Sequence, residues 1–421
     1  MQYLPRLIEK PLREALKISG GVFLQGVKAS GKTETALRFA GSSVNLQNDP
    51  RNRLLAEVSP RDIIGGVTPR LIDEWQEVPS IWNNVKTEID ARKAKNQFIL
   101  TGSATVKDGD KLHSGAGRIV TLGMSTLTWV ELGYSNSSIR LNSLLDGRCM
   151  RPRQNPMELR TILSRLVVGG WPIVIGQPER SATIINRSYV DLLLSDDISR
   201  VSGVRRDRAR AERIFRSIAR NVATPVEISA ISADTEIDTF RKTDLTVSRQ
   251  ATYDYMSDFT RLLMLVNQPT WNVHIRSSAS LRMTPKRHLA DTSLVCAALG
   301  LSSESLFHDL NFAGLLFESL VFHDMSVYAG LLDARVSYYR DSAGGEVDII
   351  VERRDGAWAA FEVKLGDVDL DIAAEKLLRF AKNIDTKKSR APSSLNIVTG
   401  TGVSYAREDG VNVISLGCLG V

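Results

Sequence analysis

The sequence predicts an α/β protein of several domains, led by a parallel sheet with crossover helices. Short apolar runs alternate with helical patterns from residue 1 to about 133. A glycine-rich loop at 26–33 joins a strand pattern to a helical one. After a helical middle, strand patterns return near residue 336. A length of 421 residues suits two or three domains, and 43% hydrophobic with 24% charged residues excludes a disordered chain, a collagen or a coiled-coil rod.

In chain order, residues 21–25 form a buried strand ending at a glycine, and 32–39 continue as a helix. Residues 70–74 and 97–101 end two further strands around a helix at 81–94, as crossover units require. The stretch 134–156, richer in Ser, Asn and Arg, reads as a linker. Helical patterns cover 157–168, 181–194 and 208–222. Thr224-Pro225 reads as an N-cap and first-turn pair, and a helix from Ser248 runs through Tyr253, Met256 and Phe259. Residues 262–266 and 270–274 read as a strand pair, so helices followed by a hairpin indicate a winged helix. A helix at 312–328 precedes strands at 336–340, 347–351, 358–364 and 394–398. The expected domains are 1–133, a linker and helical lid at 134–222, a winged-helix-like unit at 223–275 and a second α/β unit at 276–421.

Cys149, Cys296 and Cys418 lie far apart with no C-x-x-C, which argues against a disulfide framework and fits a reducing compartment. The five histidines, His113, His274, His288, His308 and His323, show no metal-ligand spacing. No signal-peptide core is present and no apolar run is long enough for a bilayer, so a cytoplasmic protein without a membrane partner is expected. The net charge of +6 permits a phosphate-rich partner without demanding one.

Gly26-Val27-Lys28-Ala29-Ser30-Gly31-Lys32-Thr33 matches G-x-x-x-x-G-K-[ST] at every position. Glycines let backbone N–H groups wrap phosphates, Lys32 reaches the β- and γ-phosphates of ATP, and the Thr33 hydroxyl ligates Mg²⁺. A glycine-rich turn before a helix would share the spacing but not its placement between strand and helix. Downstream, Asp73 and Glu74 end an apolar strand; Asp73 would hold the Mg²⁺ water shell and Glu74 would polarise the attacking water. Thr101 and Ser103 at the end of another strand carry hydroxyls suited to sensing the γ-phosphate, although a plain strand-to-turn transition explains them equally. Arg118, after Gly117, is a candidate arginine finger on a neighbouring subunit's nucleotide, or a surface ion-pair partner.

Near the C-terminus, Asp348 precedes Glu362-x-Lys364, the spacing of a PD-(D/E)-x-K nuclease. Residues two apart on a strand share a face, so Glu362 and Lys364 point together. Asp348 and Glu362, with Glu318 from the preceding helix, would then hold a divalent metal and Lys364 would activate water. Any half-solvated strand also alternates charged and apolar residues. Arginines at 205, 206, 208, 210, 213 and 216 flank an apolar stripe of Ala211, Ile214, Phe215 and Ile218, a basic helix that either meets phosphates or merely faces solvent.

Together these parts resemble the AAA-type ATPases, in particular a prokaryotic group with a P-loop, an aspartate–glutamate–x–glutamine stretch (Asp73–Gln76), a T-G-S strand end (Thr101–Ser103) and a glycine–arginine pair (Gly117-Arg118). The likeness extends to Gly169-Gly-Trp-Pro172 and Ser188-Tyr-Val190. It implies an ATPase core using Mg²⁺ and ATP, a helical lid, a winged helix and a restriction-endonuclease-like C-terminal domain. The expected activity is ATP hydrolysis coupled to nucleic-acid binding, DNA foremost, with homo-oligomers a further expectation. An ATP-gated nuclease and an ATP-dependent switch that binds a protein partner stand as alternatives.

Overall fold

The computed structural model describes residues 3–103, 115–148, 150–235, 247–272, 283–341, 344–386 and 389–421. Cys149, His113 and His274, together with the end of the strand expected at 270–274, lie outside the described residues. The N-terminal region runs α1 (Glu9–Ile18), β1 (Gly21–Gly26), α2 (Lys32–Leu37), β2 (Ser42–Asn45), α3 (Pro50–Val58), α4 (Pro60–Ile64), β3 (Arg70–Asp73), α5 (Ile81–Arg92), β4 (Phe98–Gly102) and β5 (Ile119–Met124). The five strands pair in parallel in the order β2-β3-β4-β1-β5. The central strands are covered on both faces: Val22 packs with Leu12 and Leu16 of α1, while Phe23 packs with Trp75 and Trp82. Burial on both sides is why these strands read as continuous apolar runs.

The segment 134–156 is more than a linker. Its β6 (Ile139–Arg140) and α6 (Leu141–Leu145) bury Ile139, Leu141, Leu144 and Leu145 in the core of the C-terminal region.

The middle contains α7 (Leu159–Val168), α8 (Glu179–Leu192), α9 (Ile198–Ser202), α10 (Arg208–Arg220), α11 (Ile228–Asp234), α12 (Arg249–Arg261), β7 (Leu265–Gln268), β8 (Lys286–Leu289), α13 (Thr292–Leu299) and α14 (Ser303–His308). Helix α11 starts after Glu227 rather than at Thr224-Pro225, because the backbone of Ala223 and Thr224 is committed to hydrogen bonds with Arg287 of β8. β7 pairs antiparallel with β8, and not with the described residues of the segment expected to partner it, 270–272. Thr270 and Trp271 instead run along the C-terminal sheet, where the Trp271 N–H donates to the Tyr338 carbonyl. A continuous apolar core from Leu163 to Leu316 joins these elements, so the expected breaks at 222/223 and 275/276 cut through one packed unit.

The C-terminal region opens with α15 (Leu310–Leu331), followed by β9 (Ala334–Arg340), β10 (Glu346–Arg353), β11 (Trp358–Lys364), α16 (Leu370–Asn383), β12 (Ser394–Thr399), β13 (Tyr405–Ala406), β14 (Val411–Ser415) and β15 (Leu419–Gly420). Its six-stranded mixed sheet has the order β13-β14-β12-β11-β10-β9, and β15 pairs with β6. One face packs on α15 through Phe317, Val321, Ile349 and Phe361. The other packs on α16 through Trp358, Ala360, Leu377 and Phe380. Helix α15 is apolar on most sides because Ala313 and Leu316 serve the middle core while Phe317, Val321 and Met325 serve the C-terminal one.

Candidate nucleotide site

The loop 26–33 follows the carboxyl end of β1, next to the ends of β3 and β4, where open α/β sheets take their ligands. Gly26 is required because a Cβ there would lie 2.0 Å from the Met124 carbonyl oxygen of β5. Ala29 and Gly31 have φ of 63° and 95°, the left-handed turns that fold the loop back on itself. The Lys32 ammonium is buried and donates to the Val27 carbonyl at 2.9 Å, inside the curve of the loop. Burial pushes it down to about 8, against the opposing charges of Glu74 and Asp73. The buried Ser30 hydroxyl has no hydrogen-bond partner.

Asp73 is the hub of the polar cluster. Its carboxylate accepts from Thr33 Oγ1 at 2.8 Å, from Asn45 Nδ2 at 2.6 Å and from the Thr101 hydroxyl. Glu74 adopts a left-handed backbone at φ 54°, a conformation costly for any residue other than glycine and found where a site dictates it. Its N–H donates to Thr101 Oγ1 at 3.3 Å, and its carboxylate accepts from the Gln76 amide and from Ser103 Oγ at 3.3 Å. Lys32, Thr33, Asp73, Glu74, Thr101 and Ser103 are therefore brought together from three strand ends. A hydroxyl beside a carboxylate is a hard-oxygen pair of the kind Mg²⁺ takes, and the buried ammonium and unpartnered hydroxyl suit a phosphate chain.

Arg118 is elsewhere. It precedes Ile119, which pairs with Gly21 at the start of β1, so it lies at the opposite end of the sheet from the loop. Five residues of strand separate the two ends, roughly 17 Å. Its guanidinium donates to Asp90 of α5 at 2.6 Å on the surface. Of the two readings of this residue, the ion pair is the one this chain forms; the side chain does not reach its own loop.

Two residues that pattern reading passed over grip the loop from outside. Arg6, almost fully buried, donates to the carbonyls of Ser30 (2.7 Å), Ser125 (2.8 Å) and Thr126, and to Glu131 (3.0 Å). Tyr189 of α8 donates to the Lys28 carbonyl at 3.1 Å, and Lys28 pairs with Asp197 at 3.0 Å. Gly169–Pro172 belongs to this support. The Gly170 N–H donates to Asp291, its carbonyl accepts from Leu127, and the Trp171 ring lies 4.6 Å from that of Tyr189. Asn45 also escaped notice; only its place opposite Asp73 in the β2–β3 register reveals it. Beyond Arg6, Ser125 and Thr126 meet His323 Nε2 at 2.8 and 3.0 Å, and His323 is paired with Asp324 of α15.

The C-terminal carboxylates do not form the expected metal centre. Among the described residues no group of three or more His, Cys, Asp or Glu side chains could hold a metal ion. Glu362 alternates with Ala360 and Trp358 toward α16, where its carboxylate accepts from Lys376 at 2.9 Å. Glu318 is on α15, against the other face, and pairs with Lys286 of β8 at 2.7 Å. Lys286 also meets Glu346 at 2.7 Å and Asp348 at 3.3 Å. Asp348 stands between the two groups because β10 shifts register between Val347 and Ile350; its second oxygen accepts from the Val363 N–H at 3.0 Å. Lys364 ends β11, half-buried. Burial pulls the Lys286 ammonium down, but Asp348, Glu318 and Glu346 outweigh it and hold it above the usual lysine range. Burial and the nearby Asp348 charge push Glu362 up to about 8.

On α10 the stripe of Ala211, Ile214, Phe215 and Ile218 is buried as expected. Arg206 is committed to Asp258 at 2.6 Å and Arg208 to Asp191 at 2.8 Å, while Arg205 and Arg216 are exposed.

Comparison with known families places an AAA domain at residues 19–133, the segment that carries the loop and its carboxylates. Residues 159–305 and 313–419 match two domains of unknown function, DUF8612 and DUF4143. Among solved structures, the Walker-type ATPase PABY2304 of Pyrococcus abyssi is 13% identical, with 70% of this chain and 96% of that chain covered and a TM-score of 0.44. The Aeropyrum pernix ORC1 protein in complex with DNA is 15% identical over 73% of this chain and 95% of that one, at a TM-score of 0.24. No curated protein matches. Among the described residues no helix is long and apolar enough to cross a membrane. The N-terminal region, residues 19–133, thus matches an AAA domain and is continued by two regions that match domains of unknown function.

Proposed function

We propose that the chain binds and hydrolyses Mg²⁺·ATP and uses the cycle to switch a nucleic-acid-binding arm. The observation that carries the first part is the convergence of Lys32, Thr33, Asp73, Glu74 and Thr101 at three neighbouring strand ends. In this reading the loop amides and Lys32 would hold the phosphates, and Thr33 and Asp73 would hold Mg²⁺, which would supply charge neutralisation to the phosphate chain. Glu74 orients water and accepts its proton, with Gln76 and Ser103 fixing the carboxylate. Thr101 sets both acids through contacts to Asp73 and to the Glu74 N–H.

Tyr189 and Arg6 hold loop carbonyls, so a change in loop shape on hydrolysis passes directly to α8 and, through Ser125, Thr126 and His323, to α15. The second part of the proposal rests on α10–α12 followed by the β7–β8 pair, a winged-helix-like order, with Arg205 and Arg216 exposed on one helix and its approach. DNA is the proposed partner. Phosphate release with and without single- and double-stranded DNA and RNA, at two salt concentrations, tests the coupling. Stimulation by DNA that weakens at high salt is expected. Turnover unmoved by any nucleic acid would replace the DNA partner by a protein one, and absence of turnover would remove the proposal.

A further inference from the structure

An ammonium group stands where a divalent cation was expected. Lys286 enters from β8, is about 2% exposed, and meets one carboxylate from α15 and two from β10: Glu318, Glu346 and Asp348. Glu362 lies on the opposite face of the sheet and has its own lysine, Lys376. The acids therefore divide into two sets, each with a resident cation, with Asp348 at the strand irregularity between them. Hydrogen bonds from neighbouring groups complete the arrangement. Gln268 of β7 donates to the carbonyls of Ser337 and Asp348, filling the irregularity in β10. His288, two residues along β8 from Lys286, meets Ser319 of α15 and Gln268.

We infer that these carboxylates form a latch closed by the protein's own lysine rather than a metal-dependent catalytic centre, and that Lys286 thereby ties the β7–β8 pair to α15 and β10. A buried charge stays buried only when it is paired and hydrogen-bonded, and a cation with three carboxylate neighbours already meets that requirement without a metal. Removing one side of such a set leaves the rest uncompensated, which is what gives the latch its hold. The consequence is mechanical. The β7–β8 pair cannot move away from the C-terminal sheet unless Lys286 leaves its acids, so the two regions move as one arm. The inference goes beyond the proposed ATPase activity and does not depend on it.

One atom offers a site to a competing cation: Glu362 Oε1 is buried with no hydrogen-bond partner. The test therefore reads Glu362 directly. Mn²⁺ is titrated into the full-length protein without nucleotide, with free Mn²⁺ followed by electron paramagnetic resonance, in the wild type, Glu362→Gln and Asp348→Asn. Indistinguishable binding curves are expected. A stoichiometric Mn²⁺ site lost in either variant would overturn the inference. The second arm compares urea midpoints of Lys286→Met, Glu318→Gln and the double variant. Lys286→Met should shift the midpoint down markedly, and adding Glu318→Gln should recover part of that shift, because one stranded carboxylate is then neutral. Strictly additive shifts, or no shift in Lys286→Met, would contradict the latch. Should Lys286→Met fail to fold, the Mn²⁺ curves on the folded proteins still decide whether a metal occupies the cluster.

Discussion

Arg6→Ala removes a guanidinium that no local pattern marks as part of the nucleotide loop. The side chain meets the carbonyls of Ser30, Ser125 and Thr126 and the carboxylate of Glu131. Breaking a buried pair from one side costs about 3–5 kcal/mol, and a stranded buried carbonyl about 1–3 kcal/mol. Glu131 keeps its bonds from the Leu7 N–H at 2.7 Å and the Thr128 N–H at 2.8 Å, which places the charge contribution at the lower end. The two effects overlap, so a local loss of about 4 kcal/mol is expected. Native-state hydrogen exchange reads this directly, since opening energies are resolved segment by segment. Amides of residues 27–37 should lose roughly three powers of ten in protection, at 1.4 kcal/mol per decade. Arg6→Lys should recover part of the loss by restoring one contact. A change below about tenfold in Arg6→Ala would refute the claim that Arg6 holds the loop.

Two further outcomes follow from the same geometry. Gly169 has φ 77°, and a Cβ there would lie 2.2 Å from Asp291 Oδ1 and 2.5 Å from Ser293 Oγ. Gly169→Ala should cost about 3 kcal/mol, whereas Gly300→Ala, at φ 73° with its nearest neighbour 3.9 Å away, should cost nearer 1 kcal/mol; equal thermal midpoints would deny Gly169 its role as a close joint. Burial, aided by the Lys286 charge, pushes the His288 imidazole down to about 3. Its unfolded value is about 6.5, so the native state stays neutral while the unfolded chain takes up a proton below that point, and stability is lost as pH falls from about 6.5 toward 3. Between pH 6.5 and 4.5 this amounts to about 2 kcal/mol. The stability gap between wild type and His288→Gln should narrow by that amount across the window, and a constant gap would show that His288 is not held neutral.

What could be read in advance was chemistry held in short range. The loop 26–33 was complete in the text because phosphate binding needs those residue types at consecutive positions, and Asp73 and Glu74 stood out as acids ending an apolar run. The grips on that loop were not legible, since Arg6 and Tyr189 reach it from 24 and 161 residues away in sequence. The β7 partner was misplaced for a related reason. Lys286-Arg-His-Leu289 carries three charged or polar residues and reads as surface, yet all four are buried because carboxylates and side-chain hydrogen bonds pair them. Glu318 and Glu362 both lie close enough to Asp348 to feel its charge. Their division between two faces was hidden by a register shift in β10 that no spacing rule foretells. Helix starts followed local capping where a cap existed, as at Ser248, whose side chain accepts from the Ala251 N–H. At Thr224-Pro225 the backbone was claimed by β8 instead.

The central claim is that the cluster at the ends of β1, β3 and β4 hydrolyses Mg²⁺·ATP. Steady-state phosphate release by the wild type, Lys32→Ala and Glu74→Gln, with nucleotide binding measured in parallel, tests it most directly. Turnover in the wild type, binding and turnover both lost in Lys32→Ala, and turnover reduced at least about 100-fold with binding retained in Glu74→Gln are the predicted results. Release from Glu74→Gln and Lys32→Ala at the wild-type rate would contradict the account.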